Sequence, residues 1–162
     1  MPLLDGGIQE EGRRAGTENV PAIVGLGKAA ELARSDMADR VKLLTPLRDR
    51  LLQELPGRIE RVVVTGHPQN RLPGHASFCV EFIEGESLLM LLNSKGIAVS
   101  SGSACTSRAL KASHVLIAMG LSHEIAQGSI LFTLGTDNND EDMNYVLETM
   151  PPIVDRLRQM SP

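Results

Sequence analysis

The sequence predicts an α/β fold in which a single sheet packs with helices behind a long connecting helix. Three observations lead to this prediction. Apolar residues recur at helical spacing from position 20 to position 55. From position 56 the pattern changes to short segments of strand and helix character. Hydrophobic residues make up 42% of the 162-residue chain, which is enough to bury a core.

The long helix is the first regular element. Residues 1–19 are polar and rich in glycine, so we expect an extended segment and a loop there. Asn19 is predicted to cap the helix that follows. That helix, 20–55, is predicted as one helix or a pair, with a kink or a restart at Pro46. The Pro-Gly pair at 56–57 is expected to end it.

The elements beyond position 56 are predicted in the order strand, strand, helix, strand, helix, strand, helix. They are IERVVVTG (59–66), HASFCVEF (75–82), GESLLMLLNSKG (85–96), IAVSS (97–101), SHVLIAMG (113–120), SILFTLG (129–135) and a last segment capped by Asn138 or Asn139. Pro151 and Pro152 are expected to end one helix in that segment and to begin another. This order suits one compact domain with one sheet.

Composition excludes several classes of function. Aromatic residues make up 2% of the chain and the net charge is -4, which argues against a nucleic-acid partner. No apolar run has membrane-spanning length, and the N-terminus lacks the sections of a signal peptide. Two cysteines are too few for a disulfide framework, and the four histidines have no metal-ligand spacing. We therefore expect a soluble cytoplasmic protein with reduced thiols and no bound metal.

The stretch SSGSACTS (100–107) places Cys105 among small residues. Small neighbours leave a sulfur accessible, Gly102 frees the backbone, and nearby hydroxyls can donate hydrogen bonds to a thiolate, which is the nucleophilic form. This setting suits a mobile sulfur nucleophile. The alternative is a turn with an incidental cysteine. The other thiol, Cys79, lies in a predicted strand and is interpreted as a core residue.

The stretch GRRAGTENV (12–20) combines glycines, two arginines and Thr17 directly before a helix. Backbone N–H groups and the helix dipole favour an anion such as phosphate at such a position. The alternative is a solvated loop before a capped helix. His114 and His123 are interpreted as structural histidines.

Four stretches, taken in order, resemble the cysteine desulfurases of the NifS/IscS type. They are GG-QE-GRRAGTENVPAIVG, EFIEGESLL-LL--KGIA-SSGSACTS, SHVL-A-GL-HEIA-GS and YVLE--PPIVDRLR--SP, and the resemblance runs from about residue 2 to the end. Those enzymes use pyridoxal phosphate to remove sulfur from L-cysteine. The resemblance implies that Cys105 takes up the sulfur as a persulfide and passes it to an acceptor protein, such as an iron–sulfur scaffold or a tRNA-modification relay. It also implies that Thr17 reaches the cofactor phosphate across a dimer interface.

The resemblance further implies a fold and a division into domains. The fold is the C-terminal portion of a fold-type I, aminotransferase class V enzyme, whose small domain has one mainly antiparallel sheet packed with helices. Residues 1–19 would be a remnant of the large cofactor-binding domain, and residues 20–55 the connecting helix or helix pair. Residues 56–162 would form the small α/β domain that carries the cysteine loop.

The sequence departs from the family pattern at two functional positions. No motif here supplies the lysine that forms a Schiff base with pyridoxal phosphate, so we expect no covalently held cofactor in this chain alone. The substrate-carboxylate arginine is replaced by Leu131 in GSILFTLG, and a neutral side chain cannot form that charge-assisted pair. Smaller departures are Ile8, where glycine is usual, and Arg108, where glycine usually follows CTS.

These departures leave three functions open. The first is the C-terminal part of a desulfurase that works as a homodimer. The second is a catalytically incompetent remnant that carries a persulfide or pairs with a complete desulfurase, and Leu131 favours it over the first. The third is an α/β binding domain without sulfur chemistry, which the set of ordered motifs disfavours.

Overall fold

The computed structural model describes residues 1–2, 4–102 and 112–160. Its elements in chain order are a 3-10 turn Gln9–Gly12, α1 Val20–Arg58, β1 Val62–Val64, β2 His75–Val80, α2 Gly85–Ser94, α3 His114–Ala118, α4 His123–Gln127, β3 Ser129–Thr133 and α5 Asp140–Met160. The chain divides into two compact units, Met1–Ala38 and Asp39–Pro162, with the boundary inside α1. Within the described ranges, none of the helices combines the length and the apolarity that crossing a bilayer requires.

The first unit consists of the glycine-rich loop and the beginning of α1. Asn19 caps the helix as predicted, because its side-chain oxygen accepts a hydrogen bond from the Ala22 N–H at 3.2 Å. The two ends of the loop meet where the Ala15 N–H donates to the Leu4 carbonyl at 3.2 Å. The loop therefore closes on itself directly before the helix.

The second unit is built on one antiparallel sheet with the strand order β1-β2-β3. Alternate residues of β2 face the main core, where Phe78 pairs with Ile130 and Ala76 pairs with Phe132 of β3. The rings of Phe78 and Phe132 meet edge to face, with centroids 6.1 Å apart. The predicted α/β fold with one mainly antiparallel sheet is confirmed.

Three helices cover that face of the sheet. In α1, buried side chains recur at Leu47, Leu51 and Leu55, a spacing of four that places them on one side of the helix. The fully buried residues that α2 and α5 add to the same cluster are Leu88, Leu92, Met143, Leu147, Met150 and Val154. Aliphatic side chains thus supply most of the core in a chain that is poor in aromatic residues.

Two predicted elements differ in the structure. The segment IAVSS (97–101) is not a strand, because its pairing with the sheet is a single bridge from Ser100 to Leu131. Ile97 is buried in the core although its backbone is irregular. A buried residue followed by more exposed ones gives the same sequence pattern as a strand. The short helix α4 was not predicted, although the Ser122 side chain caps it by accepting the Ile125 N–H at 3.3 Å.

The prolines inside the long helices do not interrupt them. Helix α1 continues through Pro46, and α5 continues through Pro151 and Pro152, so the predicted restart and the predicted second helix are wrong. Each proline removes one hydrogen bond of the helix. The buried Met150 and Ile153 on either side of the pair hold α5 against the core, and their burial outweighs the lost bonds.

Candidate functional site

A row of paired residues crosses the face of the sheet opposite the main core. Ser77 of β2 lies opposite Leu131 of β3, and Leu131 in turn bridges to Ser100. Thr65, just beyond β1, completes the row, since its N–H donates to the Ser77 carbonyl at 3.0 Å. Directly paired residues present their side chains on the same face. The row is therefore three hydroxyl side chains and one leucine.

The hydroxyls of this row are partly withdrawn from solvent. Thr65 is buried, and its hydroxyl lies 2.5 Å from the Ser77 hydroxyl, at hydrogen-bonding distance. Leu131 is half-buried between Ser77 and Ser100. None of the four residues of the row carries a charge, so the row itself supplies no cation with which to bind a carboxylate.

Two contacts fix the chain where it enters the cysteine segment. Ser100 exchanges two backbone hydrogen bonds with Leu131, at 2.8 and 3.1 Å. Two residues later the Gly102 N–H donates to the buried Ser129 hydroxyl at 3.1 Å. A Cβ on Gly102 would lie 2.9 Å from that hydroxyl oxygen and 3.4 Å from the Ser113 Cβ. Gly102 is thus required by close approach to the sheet, and we call its bond with Ser129 the loop anchor.

The predicted nucleophile Cys105 lies outside the described residues, as does Arg108. The loop anchor nevertheless locates the start of their segment on the sheet face that carries Leu131. Sequence reasoning missed Ser129, although the Gly-Ser pair that contains it belongs to one of the motifs. Its role depends on a contact 27 residues away in the chain, which local pattern does not reveal.

The second thiol is confirmed as a core residue. Cys79 is fully buried in β2, where it packs with Leu116 of α3 and Ala126 of α4. Burial raises the pKa of the Cys79 thiol to about 11. The group is therefore protonated and inert at neutral pH.

The predicted anion-binding loop leads into a capped helix. Two N–H groups in the first turn of α1 have internal acceptors, because Ala22 and Ile23 both donate to Asn19. Binding of an anion by the rest of this loop stays a prediction.

The arginines of that loop are also engaged locally. Arg14 donates to the Gly16 carbonyl at 2.9 Å, and Arg13 forms an exposed ion pair with Glu11 at 3.3 Å. Thr17 is exposed beside them. The structure therefore brings Thr17 close to Arg14, which approaches the Thr17 carbonyl at 3.5 Å.

The fold and the site define the class of protein. The model of the aminotransferase class-V family matches residues 8–146, which include the loop before α1, the row on the sheet and the cysteine segment. The chain therefore belongs to the aminotransferase class-V family.

The chain is similar in sequence to curated cysteine desulfurases. The chain is 54% identical over 161 residues to a protein named cysteine desulfurase IscS of Methanosarcina thermophila, and 54% identical to a cysteine desulfurase of Gluconacetobacter diazotrophicus. Among solved structures, a NifS-like protein matches with a TM-score of 0.80 at 35% identity over 96% of this chain. A NifS-like protein from Rickettsia africae matches with a TM-score of 0.80 at 30% identity. The resemblance to the NifS/IscS type is confirmed.

The match covers nearly all of this chain but less than half of each relative. It covers 99% of this chain but 40% of the length of each of the two curated relatives, and 39% of the NifS-like protein's chain. This chain thus corresponds to about two fifths of a protein of that family.

The described residues do not make up a pyridoxal phosphate site by themselves. Each of the three described lysines, at positions 28, 42 and 95, is exposed, and Lys28 is paired with Glu31 at 3.1 Å. A lysine that forms a Schiff base is one that its surroundings desolvate, and these exposed side chains do not meet that condition. Among these residues there is also no cluster of side chains that could hold a metal ion.

Proposed function

We propose that this chain is the C-terminal part of a pyridoxal phosphate-dependent cysteine desulfurase, which takes sulfur from L-cysteine as a persulfide on Cys105. The observation that carries the proposal is the loop anchor, at which Gly102 meets Ser129 without room for a side chain. It ties the start of the cysteine segment to the sheet within a chain that is 54% identical to cysteine desulfurases.

The proposed roles divide the chain into three parts. Residues 1–19 belong to the large cofactor-binding domain, 20–55 connect, and 56–162 form the domain that carries the cysteine. Thr17 contacts the cofactor phosphate across a dimer interface. Pyridoxal phosphate, when the rest of such an enzyme holds it, supplies the electron sink that weakens the carbon–sulfur bond of cysteine.

Cys105 has two steps to perform. As a thiolate it attacks the sulfur of L-cysteine, and an S–S bond forms as the carbon–sulfur bond breaks. The electron pair of the broken bond stays with the substrate carbon, which takes up a proton, and Cys105 is left as a persulfide. A thiolate of the acceptor protein then attacks the outer sulfur, which it gains, and Cys105 leaves as a thiolate. The first step requires a donor that the rest of the enzyme prepares. The second requires the Cys105 segment alone, with the acceptor.

A second candidate function is favoured by Leu131. Its row on the sheet is neutral, so nothing there replaces the charge of the usual carboxylate-binding arginine. The chain would then be catalytically incompetent and would carry a persulfide for a complete desulfurase or pair with it. This function requires Cys105 but does not require a residue that binds the substrate carboxylate.

Persulfide loading distinguishes the candidates. The purified chain is incubated with L-cysteine and pyridoxal phosphate, with and without a complete cysteine desulfurase, and its intact mass is measured. Because the donor is prepared by the rest of the enzyme, gain of one sulfur atom only in the presence of the complete enzyme is expected under both functions. A hybrid in which this chain replaces the corresponding segment of the complete enzyme separates them, since it should form a persulfide on Cys105 from L-cysteine under the first function and not under the second. Cys105→Ser should abolish loading, whereas Cys79→Ser should retain it. No added sulfur under either condition would contradict both functions.

The cofactor expectation has its own test. We propose that the isolated chain does not hold pyridoxal phosphate as a Schiff base, since its described lysines are exposed. Once free cofactor has been removed by gel filtration, borohydride reduction should therefore leave the intact mass of the folded chain unchanged. A yellow sample that loses its colour on reduction and gains the mass of a reduced cofactor would overturn this proposal.

A further inference from the structure

An exposed aromatic ring marks a second surface of the domain. Phe82, directly after β2, leaves 61% of its surface exposed, while the other two phenylalanines are buried. Its backbone has a φ of 66°, in the left-handed region that bulky side chains avoid. Arg61 lies over the ring at 5.6 Å from its centroid and also has a positive φ, of 55°. Both residues are held in unfavourable conformations at one exposed place.

Phe82 forms one wall of a surface groove of about 630 Å³. Ile83 and Ile125 add apolar surface, and Glu81, Glu84 and Glu124 add carboxylates. The volume lies in the range of pockets that bind ligands. We call this the Phe82 groove.

The backbone around the Phe82 groove is fixed by close contacts. Arg158 of α5 donates two hydrogen bonds to the Glu81 carbonyl, both at 3.2 Å. Gly85 begins α2 where a Cβ would lie 2.4 Å from the Ser129 carbonyl oxygen, and Gly128 allows no Cβ beside Val80. The groove is therefore preformed rather than a product of loose loops.

The charge of the groove is negative. Three carboxylates line it, and two guanidiniums lie beside it, that of Arg61 over the ring and that of Arg158 at the Glu81 carbonyl, which leaves a surplus of one negative charge. Glu81 lies 3.7 Å from Arg61, whereas in the described part of the chain no ion pair engages Glu84 or Glu124. An exposed ring between unpaired carboxylates is complementary to a cationic side chain that carries apolar neighbours.

We propose that the Phe82 groove is a docking site for a segment of a partner protein in which basic and apolar residues alternate. The apolar side chains would contact Phe82 and Ile125, and the cations would lie against Glu84 and Glu124. A second copy of this chain is a poorer occupant, because its net charge is -4. The proposed recognition uses neither the Ser129 hydroxyl nor sulfur transfer, so it can fail without affecting the proposed function.

The test measures binding of a labelled peptide to the full chain by fluorescence anisotropy. The probe is acetyl-Lys-Leu-Arg-Leu-Lys-amide, and the control is acetyl-Glu-Leu-Asp-Leu-Glu-amide. We expect the basic peptide to bind, with an affinity that falls as salt is added, and the acidic peptide not to bind. Equal binding of the two peptides, or no binding of the basic one, would overturn the proposal.

Variants assign the binding to the groove. Phe82→Asn should weaken the affinity by about tenfold or more while leaving the melting temperature equal or higher, because asparagine tolerates a positive φ. Phe82→Tyr keeps an aromatic ring at this position and should bind the peptide as the wild-type chain does. The double variant Glu84→Gln, Glu124→Gln should weaken binding by about fivefold and reduce its salt dependence. Glu148→Gln, outside the lining, should change neither.

Two further results would also refute the docking site. Spermidine carries cationic charge without apolar side chains, so it should displace the peptide poorly. Displacement by spermidine at the concentration at which unlabelled peptide acts would show that charge alone is recognised. Unchanged binding in Phe82→Asn would show that the peptide binds elsewhere.

Discussion

The buried Cys79 thiol should make the folded chain less stable in alkali. Burial between β2 and the short helices raises its pKa from the ordinary 9.0 to about 11. The unfolded chain therefore ionises this thiol near pH 9, whereas the folded chain keeps it protonated until about pH 11. Because the raised pKa favours the protonated form in the folded state, its stabilising effect is complete below pH 9 and is lost as the pH rises to about 11.

The size of the effect follows from the same shift. A difference of two pKa units corresponds to about 3 kcal/mol when the whole window is crossed. Urea unfolding followed by circular dichroism should show a free energy of unfolding that is about 2 kcal/mol lower at about pH 10.5 than at about pH 8 as a result of this ionisation. The matched control is Cys79→Val, which keeps an apolar side chain in the strand and removes the titrating group.

The comparison isolates one group because every other titrating side chain is shared. The wild-type chain should lose about 2 kcal/mol more than Cys79→Val between the two pH values. Equal losses would refute the argument that burial holds this thiol in its protonated form. At about pH 8 roughly one Cys79 in a thousand would be a thiolate, so alkylation of the native chain should modify Cys105 first.

Two further substitutions test the packing at the start of β3. Gly128→Ala should lower the free energy of unfolding by more than about 3 kcal/mol, because its Cβ would lie 1.9 Å from the Val80 carbonyl oxygen; a wild-type urea midpoint would contradict this. Ser129→Ala removes the acceptor of the Gly102 N–H and should reduce stability by about 1 kcal/mol and speed the alkylation of Cys105. Mass spectrometry measures that rate, and an unchanged rate would show that the loop anchor does not control access to the thiol.

Local chemistry accounts for the parts of the fold that the sequence predicted. Apolar spacing located α1, alternation located β2, and the side chain of Asn19 marked the start of the helix. Each of these signals lies within a few residues of the feature that it predicts. The predicted breaks at Pro46 and Pro151 failed because burial on both sides of a proline is a tertiary effect.

The sequence indicated which residues belong to the candidate site but not how they are arranged in space. The stretch around Cys105 was recognised from residue types alone, and Leu131 was recognised as a departure from a pattern. That Leu131 lies between Ser77 and Ser100 depends on strand register, which long-range pairing determines. The groove at Phe82 gave no signal in the sequence, because a positive φ at a phenylalanine contradicts its ordinary preference.

The bridge between Ser100 and Leu131 has a consequence for aggregation. A strand at the edge of a sheet offers free amides and carbonyls to a strand of another molecule. On the edge of β3 that faces away from β2, the Leu131 amide and carbonyl are both taken by Ser100, and at the opposite edge β1 is three residues long. The contact that fixes the entry to the cysteine segment thus also caps this edge, and loosening it would expose β3 to intermolecular pairing.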